Sequence, residues 1–130
     1  MTSKSQAEHL TLLNLHSIFG NRDSAARLST IQSTWVSSGD ALFIEPNGVF
    51  KTHEGISDMA GQILASGGET DKFWELGEVE ALAHDDETDA WVTRLHWGVG
   101  TSKDELKVRG WDVVTIFGGK IKACYTFLDK

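Results

Sequence analysis

Two carboxylic acids lie within apolar stretches of this chain, where ionisable side chains are uncommon. Glu45 ends the β-prone run Ala41–Glu45, shares an alternating face with Phe43, and is followed directly by Pro46. An apolar cavity would disfavour its charged form and raise its pKa towards the range in which a carboxylate works as a general base. The alternative is structural, because an acidic residue before proline also marks a turn.

Asp112 interrupts a second apolar run, on the strand face that also carries Val114 and Ile116. Two carboxyl groups in one dry pocket would push their pKa values apart, so that one serves as base and the other as acid. We therefore treat Glu45 and Asp112 as a candidate catalytic pair. The alternative is that Asp112 has only a structural role.

His96 is a third candidate, and its role depends on which way its strand faces. It shares one face with Val92 and Arg94, whereas the opposite face carries Trp91, Thr93, Leu95 and Trp97. If the first face lines the pocket, His96 could be an acid–base partner for either carboxylate. If the second face does, the pocket wall is aromatic.

The composition excludes several kinds of partner and chemistry. A length of 130 residues fits one domain, which we predict to span residues 1–130. The 12 Lys and Arg against 19 Asp and Glu give a net charge of -7 without a basic cluster, which argues against nucleic acid and anionic membranes as partners. The single Cys124 cannot form a disulfide within the chain, and no histidine pair has metal-ligand spacing, so we expect no metal. The first nine residues are mainly polar, unlike a secretion signal, and no apolar segment is long enough to span a membrane, so we predict a cytoplasmic protein.

The hydrophobic period changes once along the chain, from helical to strand-like. Helices are predicted over Gln6–Phe19, from the N-cap Asp23 to Trp35, and over Glu54–Ala65. Four strands are predicted to follow the helices, over Phe73–Leu82, Ala90–Val99, Leu106–Phe117 and Lys120–Leu128. We therefore predict an α+β fold with three N-terminal helices on one side of a curved, mainly antiparallel sheet that forms a cone-shaped barrel. The last two strands are apolar on both faces, which predicts a homodimer through the outer sheet face.

Five segments, taken in their order and spacing, resemble SnoaL-like proteins of the nuclear-transport-factor-2-like superfamily. These segments are Phe19–Arg27, Phe43–Gly48, Thr52–Gly55, Gly110–Ile121 and Tyr125–Asp129. The resemblance covers nearly the whole chain. It implies a conical α+β domain, usually dimeric, that encloses one apolar pocket.

The resemblance also implies roles for the two carboxylates. Glu45 matches the general base of ketosteroid isomerases, and Asp112 matches the protonated acid that donates to the oxyanion. The tyrosine of those enzymes falls at Leu15, which cannot donate a hydrogen bond, so the usual oxyanion hole is incomplete unless His16 or Tyr125 substitutes. The implied chemistry is cofactor-independent isomerisation, cyclisation or dehydration of an apolar, polyketide- or terpenoid-like metabolite. The alternative is a non-catalytic ligand-binding dimer.

We accordingly predict Glu45, Asp112 and His96 as catalytic residues, and we expect no cofactor. The partner is expected to be a small apolar molecule. The residues predicted to contact it are Leu15, His16, Trp35, Phe43, Met59, Trp91, Trp97, Val114 and Cys124.

Overall fold

Three α-helices lie in the first half of the chain. The computed structural model describes all 130 residues, with α1 at Lys4–Leu13, α2 at Ser24–Thr34 and α3 at His53–Ser66. Each helix begins after a residue whose side-chain oxygen accepts a backbone N–H of the first turn, namely Ser3, Asp23 and Thr52. The three predicted helices are confirmed, and none is long and apolar enough to cross a membrane.

The first helix continues into one wider turn over Asn14–Phe19. The backbone N–H of Gly20 donates to the carbonyl of Leu15, five residues earlier, at 2.8 Å. Such turns are often found at functional sites. Leu15 and Phe19 come from this turn, and both side chains are buried against the sheet.

Seven strands form one twisted sheet. They are β1 at Leu42–Glu45, β2 at Gly48–Phe50, β3 at Lys72–Glu75, β4 at Glu80–Asp85, β5 at Ala90–Ser102, β6 at Glu105–Phe117 and β7 at Lys120–Leu128. The order across the sheet is β2-β1-β7-β6-β5-β3, and β4 also pairs with β5. All pairs are antiparallel except β1 with β7. The α+β class and the predicted strands β5, β6 and β7 are confirmed.

The structure corrects two details of the predicted sheet. The sheet is open and not a closed barrel, because β2 at one edge pairs with neither β3 nor β4 at the other. The strand predicted over Phe73–Leu82 is two strands: Glu75 lies opposite Trp97 and Glu80 opposite Arg94. The four residues between Glu75 and Glu80 therefore lie opposite only two residues of β5, and this excess separates β3 from β4.

The helices cover one face of the sheet, and the core lies between them. Its largest fully buried side chains include Trp35, Phe43 and Leu15. No helix covers the other face, which we call the outer face. Its side chains on the three central strands include Arg94, His96, Trp111, Tyr125 and Phe127.

Candidate functional site

A cavity between the helices and the sheet has a narrow inner part and a wide outer part. The inner part, here called the inner void, has a volume of about 40 Å³. The outer part, here called the mouth, has a volume of about 470 Å³. The two adjoin, since both are lined by Ile63, Phe73, Trp97 and Thr126. The inner void is lined otherwise by Leu15, Phe19, Phe43 and Asp112.

Asp112 supplies the only charged group of the inner void. It lies on β6, and only 6% of its surface is exposed. Its Oδ1 accepts hydrogen bonds from Trp97 Nε1 at 2.9 Å and from Thr126 Oγ1 at 2.8 Å. Both bonds end on Oδ1, and the buried thiol of Cys124 is the remaining side-chain partner of the carboxyl group.

The surroundings of Asp112 disfavour its charged form. Burial among apolar side chains raises the pKa of Asp112 to about 6, against a smaller opposing effect of the hydrogen bonds from Thr126, Trp97 and Cys124. A carboxylate with a pKa near 6 is mostly ionised at neutral pH and still basic enough to accept a proton from carbon. Burial, together with the nearby Asp112, also raises the pKa of Cys124 well above its usual range, which keeps that thiol protonated.

Glu45 reaches the mouth from the end of β1. It is 8% exposed, and it shares the buried face of its strand with Ala41 and Phe43, as predicted. Its Oε1 accepts the backbone N–H of Asn47 at 2.8 Å, and its Oε2 accepts from Asn47 Nδ2 at 3.3 Å. Both oxygens are therefore used by the β1–β2 turn, an arrangement that stabilises the turn itself.

The two candidate carboxylates thus line different parts of one cavity. Asp112 is at the inner void and Glu45 is at the mouth. The cavity holds a carboxylate with a raised pKa at its apolar end and a carboxylate fixed by its own turn at its wide end.

His96 lies outside this cavity, which corrects its prediction as a catalytic residue and leaves the alternative, an aromatic pocket wall. Side chains alternate along a strand, and Trp97 faces the cavity, so His96 lies on the outer face. Its ring stacks on Trp111 with centroids 4.4 Å apart, and its Nε2 lies 2.9 Å from Asp129 Oδ2. The aromatic face of β5 is therefore the one that lines the pocket.

Three of the predicted ligand-contacting residues line the inner void, namely Leu15, Phe43 and Trp97. The other six line neither part of the cavity. His16 is exposed and binds Glu75, and the indole of Trp91 donates to the carbonyl of Thr2. The remaining four belong to the core and are Trp35, Met59, Val114 and Cys124.

Trp35 lies outside the cavity because its indole has a partner in the core. Its Nε1 donates to Asn14 Oδ1 at 3.0 Å, and Asn14 Nδ2 in turn lies 3.8 Å from Cys124 Sγ. Trp35, which was predicted to contact the ligand, is for this reason part of the core. A polar partner on the preceding helix is not visible from the spacing of apolar residues.

Several cavity residues were not singled out from the sequence. Ile63 and Phe73 contribute to both parts of the cavity, and Thr126 donates to Asp112. Asp71 and Lys107 line the mouth and form an ion pair at 2.8 Å. Only Thr126 carried a sequence signal, since it is a polar residue within the apolar strand β7, which pairs with β6.

Comparison with solved structures identifies the fold. The chain matches an assigned isomerase of the SnoaL-like family from Agrobacterium tumefaciens with a TM-score of 0.78 at 20% identity, covering 97% of this chain and 99% of that one. It matches a nuclear transport factor 2-like superfamily protein from Salmonella enterica with a TM-score of 0.72 at 14% identity, covering 98% and 91%. It also matches the protein Aln2 from a Streptomyces species with a TM-score of 0.71 at 15% identity, covering 99% and 94%.

No protein-family model and no curated protein matches the sequence. The chain nevertheless has the SnoaL-like, nuclear-transport-factor-2-like fold, as the sequence resemblance implied.

Proposed function

We propose that this chain, which has the SnoaL-like fold, binds a small apolar molecule in the cavity and moves a proton on it with Asp112 as the general base. The observation that carries this proposal is the burial of Asp112 at the apolar end of the cavity, where its pKa is raised to about 6. A base whose pKa lies slightly below 7 is mostly ionised at neutral pH and is still basic enough to accept a proton. The reaction class is a cofactor-independent isomerisation, cyclisation or elimination that begins by removing a proton from carbon.

This assignment differs from the roles expected from the sequence resemblance, because Asp112 and not Glu45 is the base. An acid that donates to an oxyanion must be protonated, and a pKa near 6 leaves only about a tenth of Asp112 protonated at pH 7. Trp97 and Thr126 also donate to its Oδ1, which favours the carboxylate form. Asp112 is thus better suited to accept a proton than to donate one.

Glu45 has a structural and lining role in this proposal. Its two oxygens accept from the backbone and side chain of Asn47, so it has less capacity to accept a proton from a ligand. It lines the mouth, where the body of the substrate would lie, while the reacting C–H group points into the inner void towards the carboxylate of Asp112. A void of about 40 Å³ admits only the reacting edge of such a molecule.

The test is the base-promoted ring opening of 5-nitrobenzisoxazole, which needs only a base in an apolar site. The carboxylate removes the ring C–H proton as the N–O bond breaks, and the product is a coloured phenolate bearing a nitrile. Asp112→Asn is expected to reduce turnover at least about 100-fold, because general bases contribute on this scale. Glu45→Gln is the matched carboxylate-to-amide control, and it should keep turnover within a few-fold of the wild type.

Turnover that survives in Asp112→Asn with the fold retained would contradict this proposal. If that turnover is lost in Glu45→Gln, Glu45 is the base instead.

A non-catalytic ligand-binding role is the second candidate. The observation that favours it is the small volume of the inner void, which is close to that of a single water molecule. In that case Asp112 would hydrogen-bond a ligand or a water molecule without removing a proton. Ligand binding with no turnover by wild-type protein would select this candidate.

We also propose that the outer face pairs with a second copy of the chain. Phe127 is 57% exposed there, Trp111 and Tyr125 are half-buried, and Trp111 forms a stacked cluster with His96 and Arg94. Aromatic and arginine side chains of this kind are enriched at protein interfaces. The proposed dimer leaves the cavity, on the other face of the sheet, open to ligand.

A further inference from the structure

The mouth carries an ion pair that the proposed proton transfer does not use. Lys107 Nζ donates to Asp71 Oδ2 at 2.8 Å, and both residues line the mouth. The ammonium group has three N–H donors, one bond satisfies one of them, and the side chain is 58% exposed. Lys107 therefore has donors available to a molecule in the mouth.

Asp71 is the buried partner of this pair. Its side chain is only 3% exposed, and its Oδ2 also accepts the backbone N–H of Gly68 at 2.8 Å. Its Oδ1 is buried and has no hydrogen-bond partner. Unpaired buried acceptors are rare in folded proteins, and each one calls for an explanation.

Two glycines make room for the pair. A Cβ atom at Gly67 would lie 2.9 Å from Asp71 Oδ2, and one at Gly68 would lie 3.3 Å from Lys107 Nζ. Any larger residue at Gly67 would have to displace the carboxylate. The loop between α3 and β3 thus holds Asp71 under the ammonium group of Lys107, at the rim of the mouth.

We infer that the Lys107–Asp71 pair is a subsite for a hydroxyl group of an uncharged ligand. A hydroxyl both accepts and donates, so it can accept from the free N–H donors of Lys107 and donate to the carboxylate of Asp71. A carbonyl group can use only the lysine.

The charge at the mouth selects against anions. Glu45 and Asp71 outnumber Lys107 there, and Asp112 adds a further carboxylate at the inner end. A ligand carboxylate would meet this negative potential and would have to compete with Asp71 for the lysine. The substrate class is therefore an apolar ring with a hydroxyl at the end remote from its reacting carbon. This inference rests on the proposed role of the cavity as the substrate site.

The test compares three probes with the same ring: 4-tert-butylcyclohexanol, 4-tert-butylcyclohexanone and 4-tert-butylcyclohexanecarboxylate. Isothermal titration calorimetry should find that the alcohol binds wild-type protein most tightly and the carboxylate most weakly. Lys107→Met removes the donor and keeps the length of the side chain. It should weaken alcohol binding about 3- to 10-fold, the worth of one hydrogen bond. The exposed Lys103, on the β5–β6 turn, gives the matched control Lys103→Met, which should bind all three probes like the wild type.

The outcome of this test is separable from that of the proposed function. Asp112→Asn should keep the order of affinities while losing turnover, because the hydroxyl subsite is at the other end of the cavity. The inference is overturned if the carboxylate binds best, or if the alcohol binds no better than the ketone. It is also overturned if Lys107→Met, with an unchanged melting temperature, leaves the affinity for the alcohol unaltered.

Discussion

The indole of Trp97 donates to Asp112 across the β5–β6 pair, with 2.9 Å between Nε1 and Oδ1. The residue directly opposite Trp97 is Gly110, and a Cβ atom there would lie 2.6 Å from Trp97 Cζ2. The glycine therefore allows the indole to lie close to β6 and to reach the carboxylate two residues along. The hydrogen bond therefore links Trp97, an aromatic residue of the cavity wall, to Asp112, the only charged residue of the inner void.

Replacing the indole should change the acidity of Asp112. Trp97→Phe removes the N–H donor and keeps an aromatic ring beside Phe73. Loss of a bond that favours the carboxylate should raise the pKa of Asp112 by about one unit, since one unit corresponds to about 1.4 kcal/mol. The midpoint of the pH–rate profile is the measurement. Trp91→Phe is the control, because that indole donates to the Thr2 carbonyl outside the cavity, and an equal shift in both variants would refute the role of Trp97.

The buried charge of Asp112 should by itself make the folded state less stable at neutral pH than in mild acid, whereas the lowered pKa values of Asp71, Glu80, Asp85 and Asp89 act in the opposite direction as the pH falls below about 4. Its folded pKa of about 6 lies above the usual value of 3.8, so the folded state binds more protons between these values. The contribution of Asp112 to the free energy of unfolding therefore falls as pH rises from about 4 to 6, by about 3 kcal/mol for a shift of two units. Thermal unfolding at pH 4.5 and pH 8 measures this difference.

Asp112→Asn should remove this pH dependence. The amide is neutral at every pH and keeps an oxygen that can accept from Trp97 and Thr126, so the variant should be more stable than the wild type at pH 8. Asp86→Asn, on the exposed β4–β5 turn, is the control and should leave both melting temperatures unchanged. If the variant is destabilised equally at both pH values, the hydrogen bonds of Asp112 stabilise the folded state by more than its buried charge destabilises it.

Leu15 should matter for stability and for the size of the cavity. It is 1% exposed and lines the inner void. Leu15→Ala should lower the free energy of unfolding by about 2–5 kcal/mol, the usual range for a buried leucine. Chemical denaturation measures the loss, with the half-exposed Leu82→Ala as a control that should change stability by about 0.5 kcal/mol or less. Equal losses in the two variants would contradict the packing described for the wide turn of α1.

The proposed dimer should depend on the outer face and not on the cavity. Phe127→Asp places a charge at an exposed position of that face, where an interface would bury it without a partner. The variant should sediment as a monomer at concentrations where the wild type is dimeric. Val49→Asp, at an exposed position of the edge strand β2, should leave the sedimentation coefficient unchanged. A wild type that is monomeric at every concentration measured would refute the proposed dimer.

Most of the fold can be predicted from local signals. The sequence predicts Asp23 as the cap of α2, and its carboxylate accepts the N–H of Ala26. Gly118 and Gly119 lie between the predicted strands Leu106–Phe117 and Lys120–Leu128, a pattern typical of a tight hairpin, and both residues have positive φ angles, as such a turn requires. The split between β3 and β4 could not be predicted, because it depends on the twist and register of β5. The open edges of the sheet could not be predicted either, because they depend on which strands pair across the whole sheet.

The site is only partly predictable, because the decisive contacts are non-local. The alternation along β5 indicates two possible faces for the pocket, and only the pairing with β6 decides between Trp97 and His96. The apolar surroundings of Asp112 are visible in its own strand. The bonds from Asn47 to Glu45 are not predicted, and they change the expected role of that residue. The ion pair between Asp71 and Lys107 joins positions 36 residues apart and leaves no pattern in the sequence.

The role of Asp112 as the base is tested by the pH dependence of proton abstraction, measured together with the titration of the Asp112 carboxyl carbon by NMR. The base is active when deprotonated, so turnover of 5-nitrobenzisoxazole should rise with pH and level off above a midpoint near 6. The Asp112 resonance should titrate with the same midpoint, and both should move upward together in Trp97→Phe. A turnover that shows no midpoint near 6, or an Asp112 that titrates near 4 like an exposed carboxyl group, would contradict the claim that Asp112 is the base.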